Sequence, residues 1–193
     1  MTRAGALALT AAAALAAAGC GSARKGGATS AAADLPATAN VHPETSASAR
    51  RADLRRAAAL VDVSAAKLGY RVVLAPRLDP LLRGLTDTGK HTITLYLARG
   101  DAPHRTAHDL AHEIGHAWDA EHMTTASRRA YLARRGVPKA AWWPSSGRSD
   151  YAVGAGDFAE VFALCHAASP DFRSTLAPRP GDACALLPAG AAR

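Results

Sequence analysis

Apolar residues recur at helical spacing through Leu54, Ala58, Val61, Ala65 and Leu68, and Gly69 follows as a stop, so the pattern predicts one helix beginning near Ser48. The arginines at 50, 51, 55 and 56 then fall on its solvated side. Residues 70–76, YRVVLAP, are rich in β-branched side chains and closed by proline, which predicts a short strand. A loop punctuated by Pro, Gly and Asp follows. Residues 91–98, HTITLYLA, alternate Thr92, Thr94 and Tyr96 with Ile93, Leu95 and Leu97, the period of a strand with one wet face. Asp101 near a cap and Pro103 in the first turn open a helix through 122 that turns Leu110, Ile114 and Ala117 to the core. Further helices are predicted at 127–134 and 156–167, with a loop carrying Trp142, Trp143 and Pro144 between them and a short cap helix within 169–178. The sum is an α+β fold, mostly helical with a small sheet.

The N-terminus follows another pattern. Arg3 precedes an apolar run over residues 4–18 that ends in small residues at Cys20. About 15 apolar residues fall short of the roughly 20 that cross a bilayer, so residues 1–19 read as a secretory signal peptide. The exit Ala17-Ala18-Gly19-Cys20 resembles a bacterial lipobox, although Ala17 stands where leucine is preferred. The resemblance implies a lipid at Cys20 and a place on the outer face of the cytoplasmic membrane; cleavage after Ala18 and secretion is the alternative. Residues 20–47 are mostly small, polar or Pro, with too few large apolar residues to order themselves, and read as a flexible tether. Residues 48–193 are then one folded domain.

Export changes the meaning of the cysteines. With Cys20 lipidated, Cys165 and Cys184 remain as a pair in an oxidising compartment, and a bridge between them would contribute about 3 kcal/mol in the chain-entropy model. The net charge of +7 is scattered, which suits loose association with anionic envelope polymers. Few aromatic residues and no basic stripe argue against nucleic acid as a partner.

The chemistry is concentrated in TAHDLAHEIGHAWD. His112-Glu113-Ile114-Gly115-His116 is HExxH on a predicted helix, where two histidines one turn apart can reach one metal ion and the glutamate faces a metal-bound water. Zn2+ suits this set because it acidifies the water and a neighbouring carboxylate can take the proton. His108, one turn earlier, reads as a partly exposed helical histidine, with cleft lining or a second ion as the alternative. His104 reads as helix-start surface, and His166 has no assignable partners.

HEIGHAWD, with the downstream SDYAVGAGDFAEVFALCH, resembles the zincin metallopeptidases, and among them the small gluzincins of the anthrax lethal-factor-like type. The likeness covers about 40 residues in two segments. It implies a zincin-like α+β domain with the small sheet beside the active-site helix. It also implies His112 and His116 as ligands, Glu113 as general base, and Tyr151 as a phenol donating to the oxyanion. The third ligand is expected on the later helix. The family's ligand glutamate stands four before a second acid, but four before Glu160 this chain has Gly156. Glu160 is therefore the expected ligand and Asp157 the alternative, the other acid orienting a histidine. Asp119 is a further candidate for that orienting role or a solvated helix residue.

The resemblance also assigns strand 91–98 as the sheet edge on which an extended peptide would pair. Trp142 and Trp143 wall the cleft or pack in the core. The expected function is an exported zinc metallopeptidase that hydrolyses peptide bonds. The alternatives are a zinc amidase of envelope peptides and a catalytically inactive envelope metal-binding module.

Overall fold

The computed structural model describes residues 46–145 and 149–192. The predicted signal peptide, Cys20 and nearly all of the tether lie outside the described residues. Among those described, no helix is long and apolar enough to cross a membrane.

Among the described residues, four helices and three strands form an α+β fold. Helix α1 (Ala47–Ala58) starts at Ser46, whose hydroxyl caps Ala49 N–H at 3.2 Å. It stops short of the expected length. Val61 instead forms an isolated bridge to Ala167, Asp62 N–H donates to the His166 carbonyl at 3.1 Å, and a separate 3-10 turn, Ala65–Leu68, carries the rest of the periodic run into Gly69 at φ 81°. Tertiary pairing with the end of the last helix thus outcompetes continuation of the first.

Strands β1 (Arg71–Pro76) and β3 (Thr92–Leu97) match the two predicted strands and pair in parallel, Arg71 opposite Thr92. Between them in sequence lies a strand that the pattern did not reveal, β2 (Gly84–Asp87), antiparallel to β3 with Gly84 opposite Leu95. The order is β1-β3-β2, so β3 is central and cannot offer the free edge expected of it. The edge strands are β1 and β2, and β2 is the one that meets the HExxH part of α2, through Thr86 and Glu113. Tyr96 N–H donates to the Arg83 carbonyl at 3.0 Å, and hydrogen-bonded pairs alternate along an antiparallel ladder. Residues 83, 85 and 87 therefore face β3, while the main chain of Gly84 and Thr86 points away from it.

Helix α2 (Pro103–His122) lies under the sheet and α3 (Thr125–Arg134) follows through a Thr124/Ser127 capping box. Asp101 does not cap α2; its Oδ2 accepts from Ala98 N–H at 2.8 Å and Oδ1 pairs with Arg77 at 2.5 Å, which ties β3 to the helix start. Helix α4 (Gly154–His166) packs along α2. Ile93, Leu95 and Leu97 of β3 meet Leu110, Ile114 and Trp118 of α2, Tyr131 of α3, and Phe158 and Phe162 of α4 in one core. Residues 169–178 are irregular, not the expected cap helix, because their polar groups serve α4: Arg173 N–H donates to Glu160 and the Ser174 hydroxyl to Asp157 at 2.6 Å. A Cys165–Cys184 disulfide fastens this C-terminal segment to α4, compatible with an extracellular location.

Candidate metal centre

Two close helix approaches build the site. At the crossing of α2 and α4, a Cβ on Gly115 would stand 3.0 Å from Ala159 Cα and 3.1 Å from Phe162 Cβ, and Ala107, Ala111 and Ala163 are fully buried. Small residues let the two backbones come near enough for Glu160 to reach across to α2. The glycine inside HExxH is thus a packing residue.

On α2, His112 and His116 lie one turn apart with Nε2 atoms 3.1 Å from each other. Asp150 Oδ2 is 3.3 Å from His112 Nε2 and 2.9 Å from His116 Nε2. These three side chains form a group that could hold a metal ion. Tetrahedral zinc bonds of about 2.0–2.1 Å to nitrogen and oxygen require donors about 3.3 Å apart, so spacings of 2.9–3.3 Å fit that ion.

Glu160 and Asp157, the expected third ligands, are not in this group. Glu160 Oε1 accepts from His112 Nδ1 at 2.8 Å, on the far side of the ring from the converging Nε2 atoms, and its Oε2 accepts Arg173 N–H. It orients the His112 ring, the role expected for one of the two acids. Asp157 is fully buried among Tyr131 Oη at 2.7 Å, Arg135 Nε at 2.7 Å and the Ser174 hydroxyl. Gly156 gives the physical reason why Asp150 stands beside the histidines. A Cβ there would lie 2.3 Å from the Asp150 carbonyl oxygen, so the glycine lets the turn Asp150–Ala152 rest directly on α4 and brings Asp150 to the histidines.

Glu113, 7% exposed, points to β2, where Thr86 Oγ1 donates to its Oε2 at 2.7 Å. Two residues earlier on the same strand face, an added Cβ at Gly84 would fall 2.3 Å from Glu113 Oε1. Strand β2 thus makes the seat of the proposed base. Tyr151 stands beside His112, ring centroids 5.5 Å apart, with the Arg173 guanidinium 5.2 Å from its own ring.

The electrostatics suit a cation. Burial opposes protonation of His112, but hydrogen bonds to Asp150 and Glu160 and the charges of Glu160 and Glu113 outweigh it and push its pKa up to about 10. Burial likewise works against ionised Asp150 and Glu160, yet hydrogen bonds from the histidines hold both carboxyls well below the usual range. Burial raises the Tyr151 phenol, which stays protonated.

Asp119 does not orient a histidine: it is fully buried, accepting from Arg128 Nε at 2.8 Å and Trp142 Nε1 at 3.0 Å. Trp142 therefore packs inward beside Phe158, while Trp143 is 54% exposed. His166 bonds Asp62 and the Ala191 carbonyl, both at 2.6 Å, and anchors the chain end. His104 is exposed, as expected.

A cleft of about 780 Å³ opens over the group, lined by Leu81, Leu82, Leu85 and Thr86 on the β2 side and by Trp143 and Pro144 opposite, with His112, Glu113, His116, Asp150, Tyr151 and Arg173 facing it. No protein-family model matches this chain, and no curated protein or solved structure matches it.

Proposed function

We propose that the protein is an exported zinc-dependent metallopeptidase. The observation that carries the reading is the conjunction in one cleft of three converging donors, His112, His116 and Asp150, with a carboxylate, Glu113, seated by a neighbouring strand. A zinc ion held there would supply Lewis acidity toward a carbonyl and acidify water. Glu113 takes the proton of the attacking water and passes it to the leaving amine. Tyr151, kept neutral by burial, donates to the developing oxyanion. Glu160 holds His112 with Nδ1 protonated, so that Nε2 presents its lone pair to the ion.

Polypeptide is the favoured substrate because the outward main chain of Gly84 and Thr86 can pair with an extended strand. The lips add a side-chain preference: Leu81, 89% exposed, Leu82, Leu85 and Trp143 suit large apolar residues better than the short and charged groups of a wall peptide. An inactive metal-binding module would have no use for the close Gly84–Glu113 seat.

The test loads purified protein with zinc and compares wild type with Glu113→Ala against a mixed peptide library, reading products by mass spectrometry. Cleavage by wild type alone, beside large apolar residues, is the expected result. Zinc held by both with no cleavage by either would overturn the peptidase reading.

A further inference from the structure

The steps above leave His108 without a task, although it continues the four-residue spacing of His112 and His116 on α2. It is not the partly exposed residue that its sequence context predicts; its exposure is 0%. Nε2 lies 3.2 Å from Glu160 Oε1, and Nδ1 has no hydrogen-bond partner among the described residues. A buried imidazole with one nitrogen unpartnered lowers stability relative to an apolar side chain of similar volume. Its benefit must then lie at Nε2.

Glu160 is where that nitrogen acts. The carboxylate is fully buried, and each oxygen has a defined donor: Oε2 accepts Arg173 N–H from the C-terminal segment, and Oε1 accepts His112 Nδ1 at 2.8 Å. The Arg173 Nε is 3.5 Å from Oε1, too far for a good bond. His108 Nε2 is thus the second donor to the oxygen that holds His112. It approaches from the preceding turn of the same helix, so His108 and His112 clamp Oε1 between them. A carboxylate with only His112 as donor to Oε1 could pivot about its Oε2 anchor and let the His112 ring turn away from Asp150 and His116.

We infer that His108 is a positioning residue of the metal centre: its Nε2–H fixes Glu160, and Glu160 fixes the tautomer and ring plane of His112. This rests on reading His112, His116 and Asp150 as the metal ligands. The relay runs from His108 through Glu160 to His112, and His108 is neither one of the three converging donors nor part of the cleft lining.

The test measures zinc dissociation constants of the full-length protein by chelator competition, and the visible absorption of its cobalt form, for wild type, His108→Phe, His108→Gln and Glu160→Gln. Loss of an outer partner of a metal-bound histidine weakens metal binding by about 10–100-fold, so Glu160→Gln should fall in that range and His108→Phe near its lower end, about 10-fold. His108→Gln, whose amide places a donor near Nε2, should stay within about 3-fold of wild type with an unchanged cobalt spectrum, while His108→Phe shifts the spectrum. The metal-free melting temperature of His108→Phe should equal or exceed that of wild type, which separates positioning from a structural role. If phenylalanine is not accommodated, His108→Leu takes its place in the comparison. A folded His108→Phe or His108→Leu that binds zinc like wild type overturns the inference alone, whereas a wild type that binds no zinc overturns the metal centre itself.

Discussion

The seat of Glu113 permits a test by one methyl group. Gly84→Ala would place Cβ 2.3 Å from Glu113 Oε1, 2.6 Å from Cγ and 2.7 Å from Cδ. Carbon contacts settle near 3.5–4.0 Å, so all three atoms are about 1 Å too close. Rotation of the carboxylate alone cannot relieve an overlap that includes Cγ. Either the side chain leaves Thr86 or β2 shifts away from α2. Gly84 is not among the residues with positive φ, so the backbone itself tolerates alanine. In a strand interior that exchange otherwise stabilises by roughly 0.5–1 kcal/mol. Here overpacking should dominate and cost about 1–3 kcal/mol. With Glu113 as the proposed base, a displacement of about 1 Å should lower turnover by about 100-fold, while His112, His116 and Asp150 should keep their affinity for zinc. A double-mutant cycle with Glu113→Ala isolates the cause, since truncating the glutamate removes the atoms that clash. Thermal melts of the four proteins should show destabilisation by Gly84→Ala in wild type and little or none in the Glu113→Ala background. Equal destabilisation in both backgrounds, or a Gly84→Ala protein with full turnover, would refute the seat.

Other expected outcomes address separate parts of the molecule. Asp150→Ala should weaken zinc binding by at least about 100-fold, more than the removal of an outer partner such as Glu160, and chelator competition on the two variants gives the order directly. Asp157→Ala leaves Arg135 buried without its carboxylate and should cost about 3–5 kcal/mol in denaturant melts, while any folded fraction keeps its zinc affinity. Replacing both Cys165 and Cys184 by serine should cost about 3 kcal/mol by the same melts, the loop-closure value for a bridge spanning 19 residues. Burial, then the hydrogen bond to Glu121, raises the Tyr70 phenol to about 12 from an ordinary 10.0. Folding therefore favours its protonated form, and this contribution is complete below pH 10 and disappears as pH rises through about 12. Melting temperatures measured against pH should fall across that window in wild type and fall less in Tyr70→Phe.

Much of the architecture is written in local pattern. Alternation of Ile93, Leu95 and Leu97 against Thr92, Thr94 and Tyr96 needs only the two-residue period of a pleated strand to become β3, and Pro103 with the apolar stripe of Leu110, Ile114 and Ala117 needs only the helical period to become α2. The HExxH spacing puts His112 and His116 on one face for the same reason. β2 escaped because four residues beginning with glycine carry too few alternations to register, although Asp87, whose Oδ1 accepts Lys90 N–H in the turn before β3, was a hairpin signal.

What remained hidden depends on residues distant in sequence. Whether Glu160 or Asp150 meets the histidines is decided by how closely α4 approaches α2 at Gly115 and how the Asp150 turn lies on Gly156, and neither contact has a sequence period. A fully buried His108 looks like a surface histidine until α4 covers it with a carboxylate. The roles of Trp142, Asp119 and Arg173 are likewise set by partners 9 or more positions away, such as Arg128 and Trp142 for Asp119 and Glu160 for Arg173. The sequence by itself determined α2, α3 and α4, two of the three described strands and the placing of His112 and His116 on one helix face, because periodicity acts over one or two turns. Only the tertiary structure decided that Asp150 joins the two histidines, where Glu113 is seated and which strand lies at the sheet edge beside α2, because those follow from the distance of closest approach between elements far apart in the chain.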